Sequence, residues 1–336
     1  MSFLSISNQQ AKVIVDARQS FEAWKRCVSA KSEFTGSMHW KTIKGKDYLY
    51  RGYTGGKNAS LGVRNAEKEA IKAKFEHDKN QAIEREQIAV QQIKMHAAFV
   101  KAVGLNRLPV AGAKIIRALQ KQSIPHKIIG TNAMYAYEIA GGVLFNSDHL
   151  ATQDIDVLFD SRQSLKIASN LDQGTLLGLI QKTDKTFQPL SDSPREFAAV
   201  NAEQYRVDFI TQGNSPMQPG EFDDLLNDDD LQPVEIHSLK WVLSAPTFEQ
   251  VVFDSKGMPV LLNAIDPRAF VLHKWFVSNQ PDRDRLKAIR DETQARSVAS
   301  LLRNQMPQLP YGKAIHKIFP DSLQRQASSE IDEFDL

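Results

Sequence analysis

Three aspartates carry the chemistry this sequence could do. Asp154 and Asp156 stand two apart before the apolar run Val157-Leu158-Phe159, a spacing that puts both carboxylates on one face of a strand. Asp208, alternating with Val207 and Phe209 in YRVDFIT, offers a third carboxylate from another strand. Three acids converging on one sheet face repel one another unless positive charge sits between them, and the usual occupant is a pair of divalent cations about 3.5–4 Å apart. Such cations serve phosphoryl and nucleotidyl transfer. Alternating acids are common at strand edges, so the pair takes its meaning from its surroundings.

Those surroundings are specific. Upstream, the apolar Ile128-Ile129 ends in Gly130-Thr131 and a helix-like stretch follows. Gly-Thr, then Asp-x-Asp, then a separate strand Asp resembles the DNA polymerase beta-like nucleotidyltransferase superfamily. Within it, GTNAMYAYE, TQDIDVLFD, VDFIT and FVLHKWFVS, in this order, resemble a bacterial family of nucleotidyltransferase-domain proteins. The resemblance covers about 125–306 and extends to the earlier WKTIKGKDYLYR. One departure is the stretch GGVLFNSDHLAT, which separates the acids from the Gly-Thr turn by more than the superfamily usually does.

The resemblance implies a function and a set of roles. The reaction would move a nucleoside monophosphate from an NTP, ATP among the candidates, to an acceptor hydroxyl on an RNA end, such as tRNA, or on a protein. Asp154 and Asp156 would bind the metal that grips the triphosphate and share a second with Asp208. Mg2+ suits this role, with Mn2+ as a substitute, because oxygen ligands fit it and it keeps water and phosphate in its shell. Gly130, Thr131 and Asn132 would lie at the phosphates, since glycine admits close backbone approach and a helix N-terminus attracts anions. Some superfamily members act as toxins, an analogy from fold alone. The alternatives are a non-catalytic nucleic-acid-binding protein that keeps the fold, and a phosphodiesterase using the same carboxylates.

Other groups are open to two readings. Lys274 sits in the apolar stretch HKWF and either contacts phosphate or snorkels to the surface. His273 reads as a packed histidine. Arg283, Arg285 and Lys287 read as exposed helix charges that could also face the nucleotide. Asp148 and His149 fit a loop as well as a site, and Asp160 reads as a turn residue. The acidic run 221–230 reads as solvated rather than metal-binding.

The elements that must position these groups imply an α+β fold: a nucleotidyltransferase core, with a mixed sheet flanked by helices, between an N-terminal helix and three-stranded-sheet module and a C-terminal helical region. At 336 residues, 42% hydrophobic and 24% charged, the chain has room for more than one packed unit. The expected division is 1–104, 105–265, 266–322 and an acidic mobile tail, 323–336. Helices are expected over about 7–30, 65–103, 111–122, 171–183 and 237–244, from 267 onward, and over 283–304. Residues 196–200 and 205–211 read as an antiparallel pair.

In the N-terminal module, Trp40, Tyr48 and Tyr50 alternate with Lys41, Lys44, Lys46 and Arg51 around a glycine turn. These aromatics either stack bases among phosphate-neutralising lysines or cover the following helix. The net charge of +2 decides nothing about partners. Cys27 is the only cysteine, which excludes an intrachain disulfide or multi-cysteine zinc site. With no leader pattern and no long apolar run, a cytoplasmic protein without a membrane partner is expected; the oligomeric state is not legible.

Overall fold

Phe209, Ile210, Val157 and Leu158 are buried on both faces of two neighbouring strands, and such continuous apolar runs belong at the centre of a sheet covered by helices on either side. The computed structural model describes residues 3–53, 55–150, 152–171, 174–190, 198–211, 231, 234–235 and 238–331. They divide into one unit of 1–11, 104–256 and 260–336, and another of 12–103 and 257–259.

The larger unit holds a mixed sheet in the order Thr247–Phe253, Pro259–Ile265, Lys127–Ile129, Asp154–Phe159, Arg206–Thr211, Ala198–Val200, Gln188–Pro189, with Val234–Glu235 pairing Arg206–Thr211 off this path. Asp154–Phe159 runs parallel to Arg206–Thr211 and antiparallel to Lys127–Ile129. Phe159 and Phe209 stack at 5.5 Å between centroids. The expected antiparallel pair forms between Ala198–Val200 and Arg206–Thr211; 196 and 197 lie outside the described residues, as does the run 221–230. The fold is α+β, as the sequence implies.

Helices complete this unit. Lys127–Ile129 leads through a short 3-10 turn, Gly130–Ala133, into Met134–Gly141. Inside it, the Tyr137 hydroxyl donates to the Ile265 carbonyl at 2.8 Å. Asp266 caps Pro267–Ser278, its carboxylate accepting from the Arg268 amide at 2.9 Å. Asp284 caps Arg285–Gln305 in the same way.

Several expectations are corrected. The helix over 171–183 shrinks to Leu176–Gln181, because Thr175 caps it by accepting from the Gly178 amide, and a separate helix, Ser164–Asn170, precedes it. Val143–Phe145 is a strand paired with Phe3–Ser5, a partner too distant in sequence for local periodicity to reveal. The expected tail from 323 begins inside a helix, Asp321–Glu330, where Leu323 and Ala327 are buried with Ile331. An apolar stripe at i, i+4, i+8 hides among polar neighbours there; 332–336 lie outside the described residues.

The smaller unit holds the antiparallel sheet Ser37–Ile43, Lys46–Gly52, Asn58–Val63. Its first turn is Lys44-Gly45, with φ of 48° and 75°, the pair of positive values that a two-residue hairpin of native twist demands. Asn65 caps the helix Ala66–Ala102, accepting from the Lys68 amide at 2.8 Å. Ala82, Ala89, Ile93, Ala97 and Val100 form its buried stripe, and most of its charged residues are exposed. Among the described residues no helix is long and apolar enough to cross a membrane.

Candidate active site

The parallel register sets Asp208 directly opposite Asp156 and Arg206 opposite Asp154. Partners in register point to the same face, so all three aspartates and Arg206 share one side of the sheet. On that side the sheet is only half-buried at these four positions, whereas Ile155, Val207 and Phe209 on the other face are fully buried. The alternation of the sequence thus becomes a partition between a polar, open face and a packed one.

Asp156 sits in a crowded electrostatic setting. Burial, then the charges of Asp154 and Asp208, push its carboxyl up to about 7, against the pull of Lys274 and Arg206. It also lies over the Gly130 turn, whose φ of 66° and tight approach leave no room for a β-carbon. The other two acids have partners. Thr152 donates its hydroxyl to Asp154, and Arg206 Nε donates to Asp208 Oδ1 at 2.5 Å.

By donor type and by face, the three acids suit a hard divalent cation, and the charge crowded onto Asp156 is what such an ion would relieve. As arranged, however, no group of three or more His, Cys, Asp or Glu among the described residues could hold a metal ion. Thr152 and Arg206 hold two of the three carboxylates to protein donors. An arginine left on Asp208 with nucleotide bound would silence the acids.

The turn residues divide by role. Thr131 is buried, and its hydroxyl accepts from Gln294 Nε2 at 3.0 Å and from an Arg290 guanidinium nitrogen at 3.2 Å. Asn132 donates its side-chain amide to the Asp154 carbonyl at 2.6 Å, which fixes the start of the acidic strand, while its buried Oδ1 has no hydrogen-bond partner among the described residues. Gln294 also donates to the His149 carbonyl at 2.8 Å, and the His149 ring meets the Ser297 hydroxyl. His149 is thereby tied to the Arg285–Gln305 helix. Asp160 takes Arg162 as a local partner, as a turn residue would.

Lys274 does not snorkel. Its side chain is 14% exposed and its ammonium donates to Asp291 Oδ1 at 2.5 Å, while Arg283 donates twice to Asp291 Oδ2 at 3.0 and 2.6 Å. Asp291 therefore gathers two cations on its buried carboxylate. His273 is packed: burial, aided by Lys274, pushes its ring down to about 4. Arg285 and Lys287 are exposed.

A cleft of about 420 Å³ opens beside Asp154, lined by Thr152, Gln153, Gln204, Arg206 and Arg290. It joins one acid to two guanidinium groups that sequence reasoning had not singled out. Arg206 was legible in principle, since it stands two before Asp208 and must share its face. Arg290 and Gln294 come from a helix far along the chain and leave no comparable signal.

A family model described as nucleotidyltransferase matches residues 111–320, a span that includes every residue of this site. No curated protein and no solved structure matches the chain.

Proposed function

The chain belongs to a nucleotidyltransferase family, and from that premise we propose that it is a metal-dependent enzyme of the polymerase beta-like kind, moving a nucleoside monophosphate from an NTP to an acceptor hydroxyl on RNA or protein. The observation that carries this reading is the register of Asp208 against Asp156, with the Asp156 carboxyl raised by burial and then by its two acidic neighbours.

In this reading Asp154, Asp156 and Asp208 would hold Mg2+, or Mn2+ in its place. Bound there, the ion supplies charge neutralisation at the triphosphate and a lowered pKa for the acceptor hydroxyl. The chain's own groups do the rest. Arg206 and Arg290, which line the cleft beside Asp154, would neutralise the triphosphate, and Arg206 would exchange Asp208 for phosphate as nucleotide enters. The Gly130 turn gives the phosphates a backbone without side-chain obstruction, next to the Thr131 hydroxyl that Arg290 already touches. Lys274 supports the acids from a distance, lowering the Asp156 carboxyl through its charge.

A second reading has its own observation. Arg206 on Asp208 is what a protein that kept the fold for binding, without transfer, would look like. Incubation with each α-labelled NTP, Mg2+ and total cellular RNA or protein separates the two. Label on either acceptor supports the enzyme and names its class, and no label on any acceptor favours the binding protein.

A further inference from the structure

The small antiparallel sheet of the N-terminal unit has two unlike faces. Its register sets Met38 opposite Arg51 and Trp40 opposite Leu49, and it sets His39 opposite Tyr50 and Lys41 opposite Tyr48. The first set is the covered face. Leu49 and Arg51 are buried, and the Arg51 guanidinium sits 3.9 Å from the centroid of Phe75 on the Ala66–Ala102 helix while donating to the Thr35 carbonyl at 2.6 Å. The sequence grouped Trp40 with the two tyrosines, but the pleat separates them.

The second face stays open. His39, Lys41 and Lys46 are exposed, Tyr48 and Tyr50 are half-buried, and Val63 beside them is 45% exposed. The His39 ring stacks on Tyr50 at 6.2 Å and 21°, and the Lys41 ammonium lies 5.6 Å from the Tyr50 centroid. The residues that the register turns to this side include no aspartate or glutamate. Asp47, turned to the other face, is paired opposite Thr42, which donates to it at 2.6 Å, and is also held by Arg64.

This combination selects a ligand. Lysine is depleted where one protein docks on another, whereas here two tyrosines and a histidine, with Ile43 and Val63 at the edge, are bordered by lysines. Tyr48 and Tyr50 stand two apart on one strand, roughly 7 Å along it, so their rings are spaced for separate bases of an extended chain. Rings offered in this way bind bases that are not already stacked on one another, and lysines beside them neutralise the connecting phosphates. Base-paired strands keep their base faces hidden.

We propose that this sheet face is a binding platform for single-stranded nucleic acid, with Tyr48 and Tyr50 stacking bases and Lys41 and Lys46 meeting the backbone. The platform goes beyond the transfer reading and stands without it, because binding is measured with no NTP and no metal.

The test is fluorescence anisotropy of the full chain in EDTA with a labelled single-stranded RNA of about 16 nucleotides, the same sequence as DNA, and the RNA duplex. Saturable binding of either single strand, tighter than of the duplex, is expected. Tyr48→Ala and Tyr50→Ala should each weaken it by about fivefold or more, whereas Tyr50→Phe, which keeps the ring, should stay within about twofold. Lys41→Gln with Lys46→Gln should reduce the slope of log affinity against log salt by about 1.4. The proposal is overturned by no saturable binding up to about 100 μM, where even non-specific binding is seen. It is equally overturned by a duplex that binds as well as the single strands, or by tyrosine-to-alanine chains that melt and bind like the wild type. A chain that binds single strands but transfers no label keeps the platform and loses the enzyme, and the opposite pair of results loses the platform.

Discussion

The carboxylate of Asp156 lies against the backbone of Gly130, so closely that a β-carbon at Gly130 would fall 2.1 Å from Asp156 Oδ2. With φ at 66°, the turn is glycine for two reasons at once: it needs the left-handed region, and it must let an acid approach from the neighbouring strand. Gly130→Ala should therefore displace Asp156 and abolish transfer, with a backbone cost of about 1–2 kcal/mol. Gly142→Ala is the control, since Gly142 has φ of 64° but a β-carbon there meets, among the described residues, only Ile6 at 3.8 Å. That variant should lose comparable stability in thermal melts yet keep its activity.

The raised Asp156 carboxyl has a consequence for stability against pH. Folded, it holds its proton up to about 7, against about 3.9 in an unfolded chain. Between those values the folded state binds the extra proton, so stability falls as pH rises and the loss is complete above the folded value. Glu138, which burial pushes up to about 8 despite Arg107, adds the same sign. Urea unfolding in EDTA at about pH 5 and about pH 8 should show a smaller drop for Asp156→Asn than for the wild type, and an equal drop would remove the crowding argument.

Arg206 is the group whose movement the account requires. It donates to Asp208 and faces the cleft, so Arg206→Gln should have two opposite effects. Triphosphate binding, followed with a fluorescent NTP analogue, should weaken by about tenfold for the loss of a charged hydrogen-bonding partner. Mn2+ binding without nucleotide, followed by electron paramagnetic resonance, should tighten as Asp208 loses its competitor. If both affinities match the wild type, Arg206 is only a surface partner of Asp208.

Asp291 anchors the cationic side of the site. Its side chain is 4% exposed and holds Lys274 and Arg283 together. Asp291→Ala would leave two cations in a poorly solvated place and should cost about 3–5 kcal/mol in urea unfolding. Arg283→Gln should cost much less, because its side chain is 33% exposed and Lys274 keeps the buried carboxylate paired.

Much of this arrangement was legible in the sequence because its chemistry is written in strand periodicity. The spacing of Asp154 and Asp156, and the alternation around Asp208, settle which face each acid takes, and Asn65, Asp266 and the Lys44-Gly45 turn declare element ends through local chemistry. What stayed hidden is long-range or masked by polarity. Arg290 and Gln294 reach Thr131 from a helix more distant than any pattern can link. Phe3–Ser5 pairs with Val143–Phe145 across the chain, and the buried stripe of Leu323, Ala327 and Ile331 is too sparse to stand out in an acidic terminus. Lys274 stands out in the apolar stretch HKWF, but its partner, Asp291, lies on another helix.

The most direct test of the central claim is label transfer from an α-labelled NTP in Mg2+, comparing the wild type with Asp154→Ala, Asp156→Asn and Asp208→Asn on the acceptor the wild type prefers. The expected result is transfer by the wild type and a fall of at least about 100-fold in each variant, the scale on which a single group that stabilises developing charge counts. Transfer that persists in the Asp156→Asn and Asp208→Asn chains, or no transfer by the wild type to any RNA or protein with any of the NTPs, would contradict the account.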